Sequence, residues 1–290
     1  MIETKNITGH RVSSIAKMKE VAASFWQQNL TVGFVPTMGC LHEGHLTLIK
    51  KSLQTCDRTV VSIFVNPTQF GPHEDLDTYP RELENDFEKL EALGVDIMFL
   101  PTNEEMYPAG YKTTVQVQDI TEYLCGKSRP DLFKGVSTIV LKLFNIVRPH
   151  HAFFGEKDWQ QIAVIETLVQ DLNLDVAIHR VPIVREPNGL AMSSRNKYLS
   201  SQERQTALLL HRSLQEAQDT VRRGTTSAEA IIRLIRQFIQ EKEGTEIDYI
   251  SICDPHSFKE KEQIRGRTLI ALAVKVGPSR LIDNCIVEEF

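Results

Sequence analysis

The sequence predicts an α/β fold in two domains: a parallel sheet covered by helices over residues 1–184, then a smaller α+β domain over residues 185–290. Three observations predict it. Short apolar, β-branched runs alternate with amphipathic runs through the first two thirds of the chain, the pattern of βαβ units. The texture then changes at a polar stretch, 186–200. Beyond that stretch, two helix-type segments are followed by three strand-type segments, which is α+β order. A chain of 290 residues is long for one core and comfortable for two.

Taken in order, TVGFVP (31–36) reads as a buried strand, TMGCLHEG as the turn after it, and HLTLIKKSLQTC (45–56) as a helix. TVVSIFVNP (59–67) is a second buried strand, stopped by Pro67. ELENDFEKLEALG (82–94) places Leu83, Phe87, Leu90 and Leu93 at helical spacing, with Gly94 as a natural C-cap. VDIMFLP (95–101) is a strand, GVSTIVLKLFNIVRP (135–149) a buried helix ended by Pro149, and HAFFG (151–155) a short strand. WQQIAVIETLVQDL (159–172) reads as a helix and VAIHRVPIV (176–184) as a strand. EPNGLAMSSRNKYLS (186–200) is a polar loop. Ser200 with Glu203, and Thr226 with Glu229, are capping boxes that open two helices. IDYISICD, TLIALAVKV and RLIDNCIV close the chain as strands.

An apolar fraction of 41% and a charged fraction of 24% place the chain among ordinary globular proteins. The net charge of −5 argues against a nucleic-acid partner, which needs a basic stripe. No run approaches the roughly 20 apolar residues that cross a bilayer, and MIETKNITGHR lacks the apolar core of a signal peptide. The five cysteines (Cys40, Cys56, Cys125, Cys253, Cys285) are odd in number and include no CxxC pair. They read as reduced thiols, so the expected location is cytoplasmic.

The strongest chemical signal is the run Met38, Gly39, Cys40, Leu41, His42, Glu43, Gly44, His45, which links a strand to a helix. A helix N-terminus offers backbone N–H groups and the positive end of its dipole to an anion. The two glycines let the backbone bend and approach a ligand. His42 and His45, three apart, can face one side and donate to phosphate oxygens. One histidine would read as a surface loop residue; two, with two glycines at this junction, point to a triphosphate. Metal binding by the same pair is the weakest reading, because it supplies only two ligands.

Three further runs carry chemistry. Gly155, Glu156, Lys157 and Asp158 follow a strand at the edge where open α/β sheets bind ligands. Lys157 can neutralise phosphate and Asp158 can accept from a ribose hydroxyl, although a plain helix cap explains Asp158 as well. Met192, Ser193, Ser194 and Arg195 resemble a phosphate clamp in a flexible loop, against the commoner reading of a hydrophilic linker. Asn66 to Phe70 and the Gln160–Gln161 pair are amide-rich, suiting a ligand with hydroxyls and a carboxylate. No GxxxxGK[ST], GxGxxG or GxSxG motif occurs. The nucleotide site is therefore neither Walker-type nor of the usual dinucleotide type. Cys40, inside the turn, reads as a small packing residue.

A strand, an HxGH run at the next helix start and a later Ser-rich loop resemble the HIGH-type nucleotidyltransferases. Within that group VPTMGCLHEGH, SIFVNPTQFGPHEDLDTYPR, GVSTIVLKLFNIVRP, FFGEKDWQQ and REPNGLAMSSRNKYLS are similar, in order, to the pantoate–β-alanine ligase family. The resemblance implies a Rossmann-like N-terminal domain for ATP and pantoate and a smaller C-terminal lid. It implies a two-step reaction, in which pantoate attacks the α-phosphorus of ATP and the amine of β-alanine then attacks pantoyl adenylate, giving pantothenate and AMP. It carries ATP binding to Met38–His45, Gly155–Asp158, Val184 and Met192–Arg195, with His42, His45, Lys157, Ser193, Ser194 and Arg195 serving the chemistry and His45 the proton donor. Gln69 would contact pantoate and β-alanine, and Gln161 pantoate. Mg²⁺ and a homodimer follow from the same resemblance, with Asp86 a candidate to support the ion. One departure stands out: Arg129–Gly135 reads RPDLFKG where the family commonly has RPGHFRG, so any role of that family histidine is lost.

Overall fold

The computed structural model describes residues 10–72 and 74–288; residues 1–9 of the N-terminal stretch read above, and His73, lie outside the described residues. The chain divides into two compact units. One comprises Met1–Val117, Asp131–Glu156 and Val164–Pro182; the other comprises Gln118–Pro130, Lys157–Ala163 and Ile183–Phe290.

In the first unit, described strands β1 (His10–Val12), β2 (Val32–Thr37), β3 (Arg58–Ile63), β4 (Ile97–Phe99), β5 (His151–Gly155) and β6 (Ala177–Val181) form one parallel sheet. Its order is β1-β4-β3-β2-β5-β6. The chain builds outward from β2 through β3 and β4, then returns to lay β5 on the other side of β2. The order therefore reverses between β2 and β5, the place where an open α/β sheet leaves a crevice at its carboxyl edge. The helices are α1 (Ile15–Gln27), α2 (Glu43–Thr55), α3 (Leu83–Leu93), the short α4 (Asn103–Met106), α5 (Leu124–Ser128, which belongs to the second unit), α6 (Leu132–Val147) and α7 (Trp159–Asp171). Val35, Val61 and Met98 from the strands pack with Leu48, Ile49, Phe87 and Leu90 from the helices, all buried. The expected βαβ reading is thus the observed one.

The strand ends differ from the sequence reading for local reasons. The segment expected at 59–67 pairs only to Ile63, because its partner β2 turns away after Thr37. The segment expected at 176–184 stops at Val181, where Pro182 removes the next donor. The strand expected at 95–101 is three residues long, matched by the three of β1. Gly94 takes the expected left-handed C-cap, with φ 75°. The helix expected from 135 starts at Leu132, and Arg148 ends it in the left-handed region before Pro149. The departing residues Asp131 and Lys134 sit at its start, as an i,i+3 pair 3.8 Å apart. Neither β1 nor α1 is among the expected elements; Ser14 caps α1, whose Met18, Ala22 and Phe25 are buried.

The second unit holds α8 (Ser201–Arg222), α9 (Ala228–Gln240) and an antiparallel sheet β7-β8-β9 (Thr245–Cys253, Thr268–Val276, Ser279–Val287). Ser200 and Glu203 form the expected capping box. The second helix is capped by Ser227, whose hydroxyl accepts from Ala230 N, and not by Thr226, which bonds Gln263 instead. Leu214, Ile231, Ile235, Leu272 and Val274 make this core. Residues 118–130 and 157–163 belong here because Trp159 packs with Leu124, Phe258 and Leu269, and its Nε1 donates to Pro255 O at 2.8 Å. Among the described residues, no helix is long and apolar enough to cross a membrane.

A histidine group marks the amino end of β5. His150 Nδ1 accepts from Val32 N at 3.0 Å while its ring stacks on Trp26. His179 stacks on Phe153 and lies 2.9 Å from the His151 ring nitrogen. Burial pushes both His150 and His179 below the ordinary value of 6.5, helped by the neighbouring His151. Above pH 6.5 these rings are neutral in both folded and unfolded chains. As the pH falls below 6.5 the unfolded chain binds protons first, so stability declines until the folded-state values are passed. Denaturant midpoints should therefore be lower at about pH 5.5 than at about pH 7.5; equal midpoints would contradict the neutral rings.

Candidate active site

Three loops of the first unit leave the carboxyl edge at adjacent strands: Met38–His42 after β2, Phe64–Phe70 after β3, and Glu156 after β5. The first is the most constrained. Gly39 has φ 81°, and a Cβ there would lie 2.9 Å from Ile63 Cγ2 and 3.2 Å from Asp86 Oδ2. A side chain is thus excluded both by conformation and by space. Thr37 Oγ1 donates to Ser62 O and accepts from Gly39 N, tying the turn to β3.

Beneath the turn lies Asp86, 1% exposed, from α3. One carboxylate oxygen accepts from Cys40 N and the other from Leu41 N, both at 2.7 Å. Lys89, one turn further on, donates to Leu41 O at 2.7 Å. Burial pushes the Asp86 carboxyl up, and the two amides and Lys89 pull it back. The residue considered as a metal support is therefore committed to the backbone of the turn. Cys40 is buried, with φ 50°, in the packing role expected of it.

The two histidines then open α2. His42 is the N-cap: its Nδ1 accepts from Gly44 N at 3.2 Å, and His45 Nδ1 accepts from His42 N at 3.4 Å, a reciprocal cap made by two imidazoles. The helix N–H groups expected to face a ligand are thus partly taken up by the His42 ring. The consequence is chemical. With Nδ1 accepting, each neutral ring carries its proton on Nε2. The rings sit together, centroids 4.0 Å apart.

The β3 loop is a single turn of 3₁₀ helix, Pro67–Gln69, capped by Asn66. It lies hard against α6: a Cβ on Gly135 would come within 2.3 Å of Thr68 O and 2.7 Å of Gln69 N. Asn66 is 1% exposed and bonds Gln69 Oε1, Gly135 O and Tyr107 OH. Gln69 Nε2 in turn lies 2.9 Å from Met38 Sδ, which brings the amide beside the histidine turn. Asn66 opens the amide-rich run read from the sequence, but its place is under Gln69 as a buried support; Tyr107 is not in that reading. An Asn-Pro pair at a strand end signals the cap, but nothing local signals Tyr107.

In the second unit, Lys157 and Asp158 form a pair at 3.7 Å, and Lys157 O accepts from Asn284 Nδ2 at 3.0 Å. Gln160 is spent on structure: its Oε1 accepts from Cys125 N, and its Nε2 donates to Ile120 O and Tyr123 O. Of the glutamine pair only Gln161 is left for a ligand. The 186–200 stretch is more ordered than a polar linker. Arg185 and Ala191 form an antiparallel bridge, and Met192 N donates to Val184 O at 3.0 Å, so the structure brings Val184 and Met192 together. Ser193 caps a 3₁₀ helix, Ser194–Tyr198, through Arg195 N. Asn196 bonds Glu186 and Ala191 O, and Arg204 bonds both Glu186 and Asn196 O.

The pantoate–β-alanine ligase family model matches residues 10–286. The chain belongs to this family. It is 54% identical to the pantothenate synthetase of Acetivibrio thermocellus over 96% of this chain and 99% of that one. The pantothenate synthetase of Geobacter sulfurreducens is 49% identical over 96% of this chain and 98% of its own. Among solved structures, pantothenate synthetase from Thermus thermophilus superposes with a TM-score of 0.90 at 40% identity, covering 95% of this chain and 98% of that one. The ligase from Francisella tularensis, complexed with β-γ ATP and β-alanine, matches with a TM-score of 0.78 at 36% identity, covering 95% and 97%. The chain is accordingly a ligase with the two-part α/β and α+β fold of that family.

Two changes follow from the geometry, one in stability and one in activity. Asp86→Asn leaves one acceptor for two buried N–H groups and aims an NH₂ at one of them. It should cost about 1–3 kcal/mol in denaturant unfolding. Gly135→Ala should displace the Gln69 turn, lowering pantoate turnover more than the thermal midpoint. An unchanged KM for pantoate in that variant would show that the turn has room.

Proposed function

We propose that this ligase makes pantothenate from (R)-pantoate and β-alanine with ATP, through a pantoyl adenylate, releasing pyrophosphate and AMP. The observation that carries the reading is the pair of imidazoles at the start of α2, each with Nδ1 accepting from a backbone N–H, which leaves Nε2 as the N–H donor of a neutral ring. Two N–H donors side by side, near the positive end of a helix dipole, suit the charge that builds on pyrophosphate as a pantoate oxygen attacks the α-phosphorus. His45 is the proton donor in this scheme, and His42 its partner. Donors already oriented in the resting protein need no rearrangement when the charge appears.

The nucleotide is also assigned to Gly155–Asp158, Val184 and Met192–Arg195. Lys157 and Arg195 carry positive charge for phosphate oxygens, and Ser193 and Ser194 carry hydroxyls. Gln69 is assigned to pantoate and β-alanine, and Gln161 to pantoate. Mg²⁺ would accompany ATP and neutralise phosphate charge; the Asp86 carboxylate already serves two amides. Among the described residues, no cluster of three His, Cys, Asp or Glu side chains offers a protein cage. A cytoplasmic location and a homodimer complete the proposal, by analogy with the family.

Pantoate labelled with ¹⁸O in its carboxylate tests the intermediate. An adenylate route delivers one labelled oxygen to AMP, read by mass spectrometry, whereas unlabelled AMP beside labelled pantothenate would rule it out. His45→Ala should lower turnover by at least about 100-fold, the scale of a lost transition-state donor, while circular dichroism stays native. A near wild-type rate would remove His45 from the chemistry. Gln69→Ala should raise the KM for pantoate far more than that for ATP.

A further inference from the structure

Gln69 has two faces, a carbonyl that accepts and an NH₂ that donates, and a ligand meets one of them. Which one is decided outside Gln69. Asn66 Nδ2 points to Gly135 O at 3.2 Å, and a backbone carbonyl only accepts. Asn66 Oδ1 faces Thr68 N at 3.4 Å, and a backbone N–H only donates. These two contacts allow one orientation of the Asn66 amide. Its second N–H is then directed at Gln69, so the atom at 3.1 Å must be Oε1. Gln69 Nε2 is left on the side of Met38.

The shortest bond on Asn66 Oδ1 comes from Tyr107, whose hydroxyl donates at 2.8 Å. Tyr107 is on the far side of Asn66 from Gln69 in this chain of bonds. Its ring is held in turn by Tyr111, edge-on at 5.1 Å, and by Phe64 at 6.3 Å. The Lys142 ammonium lies over both tyrosine rings, 5.4 and 4.4 Å from their centroids. Burial pushes the Tyr107 phenol up, which keeps it a proton donor at neutral pH.

We propose that Tyr107 is a positioning residue for pantoate: its hydroxyl, with Thr68 Oγ1 at 3.0 Å on the same oxygen, steadies the Asn66 amide in the orientation that Gly135 O and Thr68 N select, and Asn66 holds Gln69 so that the glutamine offers an N–H donor, and not its carbonyl, to the acid. A donor suits the carboxylate and hydroxyl oxygens of pantoate and rejects a cationic group in the same place. The proposal rests on the assignment of Gln69 to pantoate made above.

A double-mutant cycle separates the two claims. Activity with varied pantoate and varied ATP would be measured for the full-length wild type, Tyr107→Phe, Gln69→Ala and the double variant, with thermal midpoints for all four. Tyr107→Phe keeps the ring and removes the hydroxyl's bonds to Asn66 Oδ1, at 2.8 Å, and to Thr68 Oγ1, at 3.2 Å. It should lower kcat/KM for pantoate by about three- to tenfold, leave the KM for ATP unchanged, and add nothing in the Gln69→Ala background. A Tyr107→Phe loss of equal size with and without Gln69 would overturn the relay, as would equal losses for pantoate and ATP, or a lowered midpoint with normal pantoate kinetics. If Gln69→Ala itself keeps normal pantoate kinetics, the assignment of Gln69 falls and the relay falls with it.

Discussion

The site depends on one carboxylate. Asp86 lies under the turn after β2 and accepts from two consecutive amides, Cys40 and Leu41, at 2.7 Å each. A buried carboxylate without partners would be costly, and two buried amides without partners would be costly as well. Each solves the problem of the other. The result is a turn whose backbone has one position relative to α3, with Gly39 packed too closely against Asp86 and Ile63 to carry a side chain. The histidines that follow inherit that position.

From the turn the constraint passes in two directions. Along the chain, His42 and His45 cap α2 through their Nδ1 atoms, so the rings proposed to serve the chemistry from Nε2 are held by the cap itself. The bonds that stabilise the helix start also select the tautomer that donates from Nε2. Across the sheet, Thr37 ties the turn to β3, and the loop after β3 carries Asn66 and Gln69. That loop is pressed onto α6 at Gly135, where a methyl group has no room. Helix packing therefore fixes, at a single glycine, the backbone of the loop that carries Gln69.

The second unit follows a similar logic with different parts. The stretch from Arg185 to Tyr198 is a hairpin-like turn and a 3₁₀ helix, held by Glu186, Asn196 and Arg204. Arg185 is paired with the buried Asp283 through two bonds, at 2.7 and 2.9 Å. A segment that is polar in composition is thus ordered, because its polar side chains are spent on each other and on the backbone.

Much of this was legible in the sequence. Periodicity located the β2, β3 and β5 strands and the α2, α3 and α7 helices, because a buried strand or an amphipathic helix must place apolar residues at its own period. Spacing singled out Met38–His45, since glycines and histidines at a strand-to-helix junction have few other uses. The short β1 and β4 are missed or overdrawn, because three-residue strands exist only through their neighbours. Thr226 reads as a cap that Ser227 makes, since adjacent hydroxyls are equivalent until the backbone selects one. Gln160 and Gln161 look alike in sequence, and only contacts with residues 120–125 separate them. Asp86 under the turn and Tyr107 behind Asn66 belong to the same class of fact. They lie 46 and 41 residues from the groups they hold, and no local pattern joins such pairs. The sequence by itself determined which segments form elements and which residues have the right chemistry. The tertiary structure decided which nitrogen of each histidine is held by the backbone, on which side the Gln69 amide nitrogen lies and which carboxylate is already taken, because hydrogen-bond partners are chosen by distance in space.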